Sequence, residues 1–151
     1  MTLSKPLVEI YTDGACSGNP GHGGWGALLI FKGKKKEISG YLETTTNNQM
    51  ELMAAIEALK VLKKPCKINL YTDSTYVQKG ITEWIYNWEK NNWRKRDNSP
   101  VKNIELWQKL QQEMEKHDII WNWVKGHSDN EGNNTADRLA VEARERLKRK
   151  R

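Results

Sequence analysis

The sequence predicts an α/β fold, a five-stranded mixed sheet flanked by helices with a basic helical insertion. Three observations carry this. Three strand-forming segments follow one another through short loops, which favours antiparallel hairpins. The later strand-forming segments are separated by helical runs, which parallel strands need as crossovers. Two of the strands end in the same tripeptide, Tyr-Thr-Asp, at Asp13 and Asp73.

Leu7 to Thr12, LVEIYT, is rich in strand formers and stops at Asp13-Gly14, after which the glycine-dense SGNPGHGG reads as a loop. Trp25 to Phe31 reads as the second strand, Lys32-Gly33 as a turn, and about Lys36 to Tyr41 as the third. From Gln49 to Leu62, Met50, Met53, Ala54, Ile56, Leu59 and Leu62 recur at helical spacing before Pro65. Lys67 to Tyr71 is a strand that ends at Thr72-Asp73. A helix begins at Ser74, and Gly80 is expected to end it. A Trp-rich basic insertion covers residues 81–102, and a helix runs from about Val101 to Lys116. Ile119 to Val124 alternates as a half-buried strand, and Asn134 to Leu147 closes as a helix. There is no internal repeat and no linker, so residues 1–151 read as a single domain, ending in the basic tail RERLKRKR.

With 37% hydrophobic and 29% charged residues, disorder over most of the length is excluded. The 25 Lys and Arg against 19 Asp and Glu give a net charge of +6, which suits an anionic partner such as nucleic acid. Cys16 and Cys66 lack the paired spacing of a zinc or redox motif and make no disulfide framework, so a reducing cytoplasm is expected. No stretch approaches the roughly 20 apolar residues of a membrane span. A monomer without membrane association is the expectation.

Taken singly, Asp13 and Asp73 read as turn formers or helix caps, Glu51 as a charge favoured at a helix N-terminus, and Asp137 as a solvated helix residue. Together they read differently. If the strands that end at Asp13 and Asp73 are adjacent and parallel, both carboxylates emerge at one sheet edge. Their repulsion there calls for a shared proton or a hard divalent cation, for which magnesium is the natural candidate.

The motifs YTDGACSGNPG, TTNNQMELMA, YTDSTYV and VKGHSDNEGNNTAD, in that order from about Leu7 to Glu145, closely resemble the bacterial type 1 ribonuclease H family. The resemblance implies a ribonuclease H-like sheet, three antiparallel strands and then two parallel to the first. It also implies endonuclease action on the RNA strand of RNA/DNA hybrids, such as replication primers or R-loops, leaving 5′-phosphate and 3′-hydroxyl ends. By the same resemblance Asp13, Glu51, Asp73 and Asp137 bind two magnesium ions, with manganese able to substitute. Asp13 would bridge the pair, and His127 in the loop before Asp137 would assist proton transfer or product release. Cys16, Asn19, Asn47 and Asn48 match positions that line the RNA-facing minor groove. Tyr76 and Trp84 match contacts to the DNA strand, and Thr46 and Asn103 match a pocket for a DNA phosphate.

For the insertion, with Trp84, Trp88, Trp93, Lys90, Arg94, Lys95, Arg96 and Lys102, two readings stand: a nucleic-acid surface, or tryptophans that pack it onto the domain beneath solvated charges. His22 and His117 are expected to be solvated. Two positions depart from the commonest family pattern, Gln49 for a basic residue and Thr75 for an amide; they bear on substrate affinity rather than reaction type. A DNA-cutting nuclease of the wider superfamily and a non-catalytic nucleic-acid binder are the competing readings.

Overall fold

The computed structural model describes residues 5–95, 97–125 and 130–149, with side chains through 146. Strands β1 (Leu7–Gly18), β2 (Gly21–Phe31) and β3 (Lys34–Thr45) form an antiparallel meander, because two-residue connections are too short for a crossover. At the second of these turns Lys32 and Gly33 take φ of 50° and 79°, the left-handed backbone that a tight hairpin needs. Strand β4 (Lys67–Thr72) then lies parallel to β1, reached through helix α1 (Asn47–Val61). Strand β5 (Asp118–Trp123) lies parallel to β4, reached through α2 (Thr75–Lys79), α3 (Ile85–Lys90) and α4 (Ile104–Met114). The sheet order is β3-β2-β1-β4-β5, the expected five-stranded mixed sheet, and α5 (Glu131–Arg149) follows it.

Alternation along β2 separates two layers. Trp25, Ala27 and Leu29 pack with residues of α1, whereas the intervening Gly24 and Gly26 lie against Ala136, Leu139, Ala140 and Ala143 of α5. Helices α1 and α5 therefore cover opposite faces of the sheet. Helix α1 is apolar around most of its circumference, with Met50, Leu52, Ala55, Ala58 and Leu59 at 1% exposure or less. The sheet covers one side of it and α4 packs on another. Each of its fully buried leucines contributes about 1.5–3 kcal/mol relative to an exposed one.

Three expectations are corrected. The glycine-dense SGNPGHGG is paired strand on either side of an Asn19-Pro20 turn rather than a loop: β1 continues past Asp13 to Gly18, matched by Ala15 to Gly24, Cys16 to Gly23 and Ser17 to His22. Ladder hydrogen bonds need only the backbone, so composition alone misjudges the segment. Gly80 does not end a helix. The chain passes through a π turn, Gly80–Trp84, in which the Ile85 N–H donates to the Gly80 carbonyl five residues back, and continues as α3. Gly80 is needed because any Cβ there would collide with the ring of Trp107, which is fully buried beneath it. His117 is buried, not solvated. Its Nδ1 accepts the Cys66 N–H at 3.0 Å, which supplies a partner for a backbone amide just ahead of β4. His22 is only half-buried, with Nε2 out of solvent.

Candidate active site

Parallel pairing of β1 with β4 sets the register of the two Tyr-Thr-Asp motifs. Tyr11 is matched to Tyr71, and their rings stack at 4.5 Å with an interplanar angle of 11°. Two residues farther on, Asp13 and Asp73 fall at equivalent positions. Asp13 sits within β1, opposite Gly26 of β2, while β4 has already ended. The turn after β4 is pinned by its own hydroxyls. Thr72 Oγ1 accepts the Ser74 N–H at 3.2 Å, and Ser74 Oγ accepts the Val77 N–H at 3.1 Å, capping α2 as its sequence predicts.

Glu51 enters from α1. The helix starts at a capping box in which Thr46 Oγ1 accepts the Gln49 N–H and Gln49 Oε1 accepts the Thr46 N–H, each at 3.2 Å. Its first turns press directly on β1: a Cβ at Gly14 would lie 2.7 Å from the Glu51 nitrogen. The absence of a side chain at Gly14 thus lets Glu51 reach the aspartates. Ligand-type oxygens of Asp13, Glu51 and Asp73 all lie within 4.8 Å of one another. Asp137 approaches from the opposite face, on α5, whose start is capped by Asn130 Oδ1 accepting the Asn133 N–H at 2.8 Å. It is exposed and stands outside the three-carboxylate group, yet its charge and hydrogen bonding bear on Asp13.

Electrostatically the cluster is uncomfortable without a cation. Burial first, then the neighbouring Asp73 and Asp137, push the Asp13 carboxyl up to about 8, against a partial offset from the Gly14 N–H. Burial and the charges of Asp13 and Asp73 likewise hold Glu51 well above the ordinary carboxylate range. Glu51 Oε1 is buried with no hydrogen-bond partner among the described residues. An orphaned, desolvated carboxylate oxygen beside two more carboxylates is the donor set a hard divalent cation prefers, and the cluster fits divalent metal use.

Around this cluster two polar groups assemble. Cys16, Asn19, Asn47 and Asn48 meet where the β1–β2 hairpin touches the start of α1. Asn19 Oδ1 accepts the Asn47 N–H at 3.3 Å, and Cys16 Sγ donates to the Thr45 carbonyl at 3.3 Å. The second group is a relay that sequence reading did not foresee. Gln49 Oε1 also accepts the Thr45 hydroxyl at 2.7 Å, and its Nε2 donates to Asn103 Oδ1 at 3.1 Å. Asn103 Nδ2 in turn donates to the Tyr76 hydroxyl oxygen at 3.1 Å, and Trp107 Nε1 donates to the same oxygen at 3.0 Å. Gln49 thus has a structural task of its own, and the spacing Thr46-x-x-Gln49 was its signal in the sequence. Nothing in the sequence marked Trp107 as the support of Tyr76. Asn103 holds a left-handed φ of 60°, which asparagine tolerates better than most residues.

Both readings of the aromatic insertion have physical substance. Trp84, Trp88 and Trp93 pack in series at 5.8 and 6.0 Å, with Tyr76 and Trp107 beneath at 5.3–5.6 Å, so they do fasten the insertion. They remain only half-buried, and Tyr76, Trp84 and Trp88 line a recess of about 350 Å³ together with Lys95 and Lys102. His127 and Arg96 lie outside the described residues.

Comparison with known proteins agrees with this geometry. The family model for RNase H matches residues 5–145. A ribonuclease H of Rickettsia akari (strain Hartford) is 65% identical over 138 residues, 91% of each chain. Among solved structures, a type 1 RNase H with the type 2 active-site motif superposes with a TM-score of 0.85 at 31% identity, covering 95% of this chain and 74% of that one. An RNase H1 in complex with RNA/DNA hybrid superposes with a TM-score of 0.68 at 25% identity, covering 93% and 98%. Whole-chain similarity at that identity, on a sheet that brings three separated acidic motifs to one point, leaves one assignment: the chain belongs to the bacterial type 1 ribonuclease H family and is a ribonuclease H enzyme.

Proposed function

We propose that the chain acts as a single catalytic domain, a monomer in the cytoplasm, that hydrolyses the RNA strand of RNA/DNA hybrids with magnesium at Asp13, Glu51, Asp73 and Asp137. The observation that carries this reading is the packing of three carboxylates within 4.8 Å, one of them with a buried oxygen that has no partner among the described residues. A pair of magnesium ions, which manganese can replace, supplies at such a site a more acidic attacking water and positive charge beside the leaving oxygen. Water adds to phosphorus, the P–O3′ bond breaks and the 3′-oxygen takes up a proton, leaving 5′-phosphate and 3′-hydroxyl ends. His127 assists that proton's movement or the release of product.

The remaining residues bind and orient the hybrid. Cys16, Asn19, Asn47 and Asn48 form a small polar surface, and amide side chains both donate and accept, as does the 2′-hydroxyl that distinguishes RNA from DNA. On the DNA side, Tyr76 already accepts two hydrogen bonds and Thr46 accepts one, while neither hydroxyl proton has an acceptor among the described residues. Both are therefore free to donate to a phosphate beside Asn103. The half-buried Trp84 offers a flat face nearby, flanked by Lys95 and Lys102.

Incubation with magnesium and end-labelled RNA/DNA, RNA/RNA and DNA/DNA duplexes tests the proposal. Cleavage confined to the RNA of the hybrid is expected, and its loss in Asp13→Asn and Asp73→Asn with hybrid binding retained. Equal cutting of duplex DNA, or full activity in either variant, overturns it.

A further inference from the structure

The relay from Gln49 to Trp107 has a fixed direction. Its two ends are donors that have no acceptor form. At one end the Thr46 backbone N–H donates to Gln49 Oε1 at 3.2 Å, and at the other the Trp107 indole N–H donates to the Tyr76 hydroxyl oxygen at 3.0 Å. Between them a single arrangement pairs every donor with an acceptor. Turning the Gln49 amide over would set its NH2 group against the Thr46 N–H. Turning the Asn103 amide over would set its NH2 group against that of Gln49, which now donates to Asn103 Oδ1 at 3.1 Å. Asn103 Nδ2 therefore faces Tyr76, at 3.1 Å, and the Tyr76 oxygen is filled from both sides. Its own proton has nowhere to go within the relay.

Asn103 stands outside its ordinary use here. It is the N-cap residue of α4, where an asparagine side chain commonly accepts a backbone N–H of the first helical turn, yet it makes no such bond. Its amide is committed to Gln49 and Tyr76 instead. The groups so linked stand beside the carboxylates along the chain: Gln49 precedes Glu51 by two residues of α1, and Tyr76 follows Asp73 by three. Gln49, Tyr76 and Asn103 are all half-buried, so the relay reaches the surface. A phosphate oxygen only accepts, and a hydroxyl proton without an internal acceptor is the complement it needs.

We propose that Gln49 is a positioning residue for the DNA strand: by fixing the Asn103 amide it turns the Tyr76 O–H outward to a DNA phosphate, while the Trp107 N–H closes the inward route. The proposal rests on the reading of Thr46, Tyr76 and Asn103 as the DNA-phosphate contacts. Without Gln49 the Asn103 amide is free to turn over. Its oxygen then takes the Tyr76 proton, and the phosphate loses a donor although Tyr76 and Asn103 are both unchanged.

Steady-state hybrid cleavage by the full chain tests this, with Gln49→Ala, Tyr76→Phe and the double variant. Hybrids whose DNA strand carries one methylphosphonate, at each position in turn, serve as second substrates. One methylphosphonate position should raise the KM of the parent about fivefold or more with little change in kcat, and each single variant should do the same on the unmodified hybrid. Gln49 and Tyr76 share no hydrogen bond, so independent roles would multiply in the double variant; acting through Asn103, they should leave its KM within about twofold of Tyr76→Phe alone. The methylphosphonate should likewise add little to Gln49→Ala. Where Gln49→Ala is too unstable to assay, Gln49→Glu carries the same cycle, since it keeps the acceptor for the Thr46 N–H but cannot donate to Asn103. If no methylphosphonate position affects the parent, the DNA-phosphate reading fails and this proposal with it. If one position does but the KM effects multiply, or if Gln49→Glu restores the parental KM, Gln49 is a helix cap alone and only this proposal is overturned.

Discussion

Replacing Asp13 with asparagine should make the metal-free protein more stable at neutral pH, by an amount that grows with pH. The folded carboxyl is pushed up to about 8 from 3.8, chiefly by burial and then by Asp73. Between those values the folded chain holds a proton that the unfolded chain has released, so stability is full below pH 4 and is lost as pH rises toward 8. One such proton is worth about 1.4 kcal/mol per pH unit, hence about 3 kcal/mol between pH 5 and pH 7. For a chain of this size that corresponds to roughly 6–12 °C in melting temperature. Asparagine keeps the size of the side chain but carries no charge, so its melting curve should fall less steeply by that one proton. The assay is thermal unfolding in EDTA from pH 5 to pH 8 for parent and Asp13→Asn, repeated with magnesium. Added magnesium should raise the parent at pH 7–8 more than the variant, since cation binding to the folded state relieves the same repulsion. Parallel pH profiles for the two proteins, or a parent that gains stability relative to the variant as pH rises, would refute the reasoning.

Other perturbations separate further parts of the structure. Gln49→Ala removes the capping acceptor and the donor to Asn103 together, so a loss of about 1–2 kcal/mol on chemical denaturation is expected, with a higher KM and a smaller change in kcat. Gln49→Glu keeps the acceptor for the Thr46 N–H and Thr45 hydroxyl but not the Nε2 donor, and should recover stability without recovering KM. Gly80→Ala forces a methyl into the Trp107 ring, which should cost about 1–3 kcal/mol and shift tryptophan fluorescence. His117→Ala leaves the Cys66 N–H without its acceptor, at about 1–3 kcal/mol in urea unfolding. Burial also holds His117 below its usual range, so its contribution is present above pH 6.5 and is lost as pH falls through the lower folded value. The variant should lack that acid-side loss.

Strand and helix order was legible because periodicity and turn residues are local properties. LVEIYT, KINLY and the helical run after Gln49 all fall where their patterns put them. Errors cluster where a neighbour overrode a local signal. Glycines at 18–24 looked like a loop, yet hairpin pairing carries both strands through them. Gly80 looked like a stop, yet its bare Cα is the space that Trp107 fills. His117 looked solvated because the amide that needs it belongs to residue 66, far away in the chain.

The four acidic positions and their motifs are a matter of residue identity, and the chain carries them openly: type and spacing are covalent facts that no packing alters. The convergence of Asp13, Glu51 and Asp73 is not covalent. It depends on the register of β1 with β4, which levels Asp13 with Asp73, and on the bare Cα of Gly14, which admits Glu51. Burial then raises the carboxyls of Asp13 and Glu51, since the same side chains in water would ionise independently. The Gln49–Asn103–Tyr76–Trp107 relay is likewise a tertiary product, joining residues 27 to 54 positions apart whose partners no local pattern names.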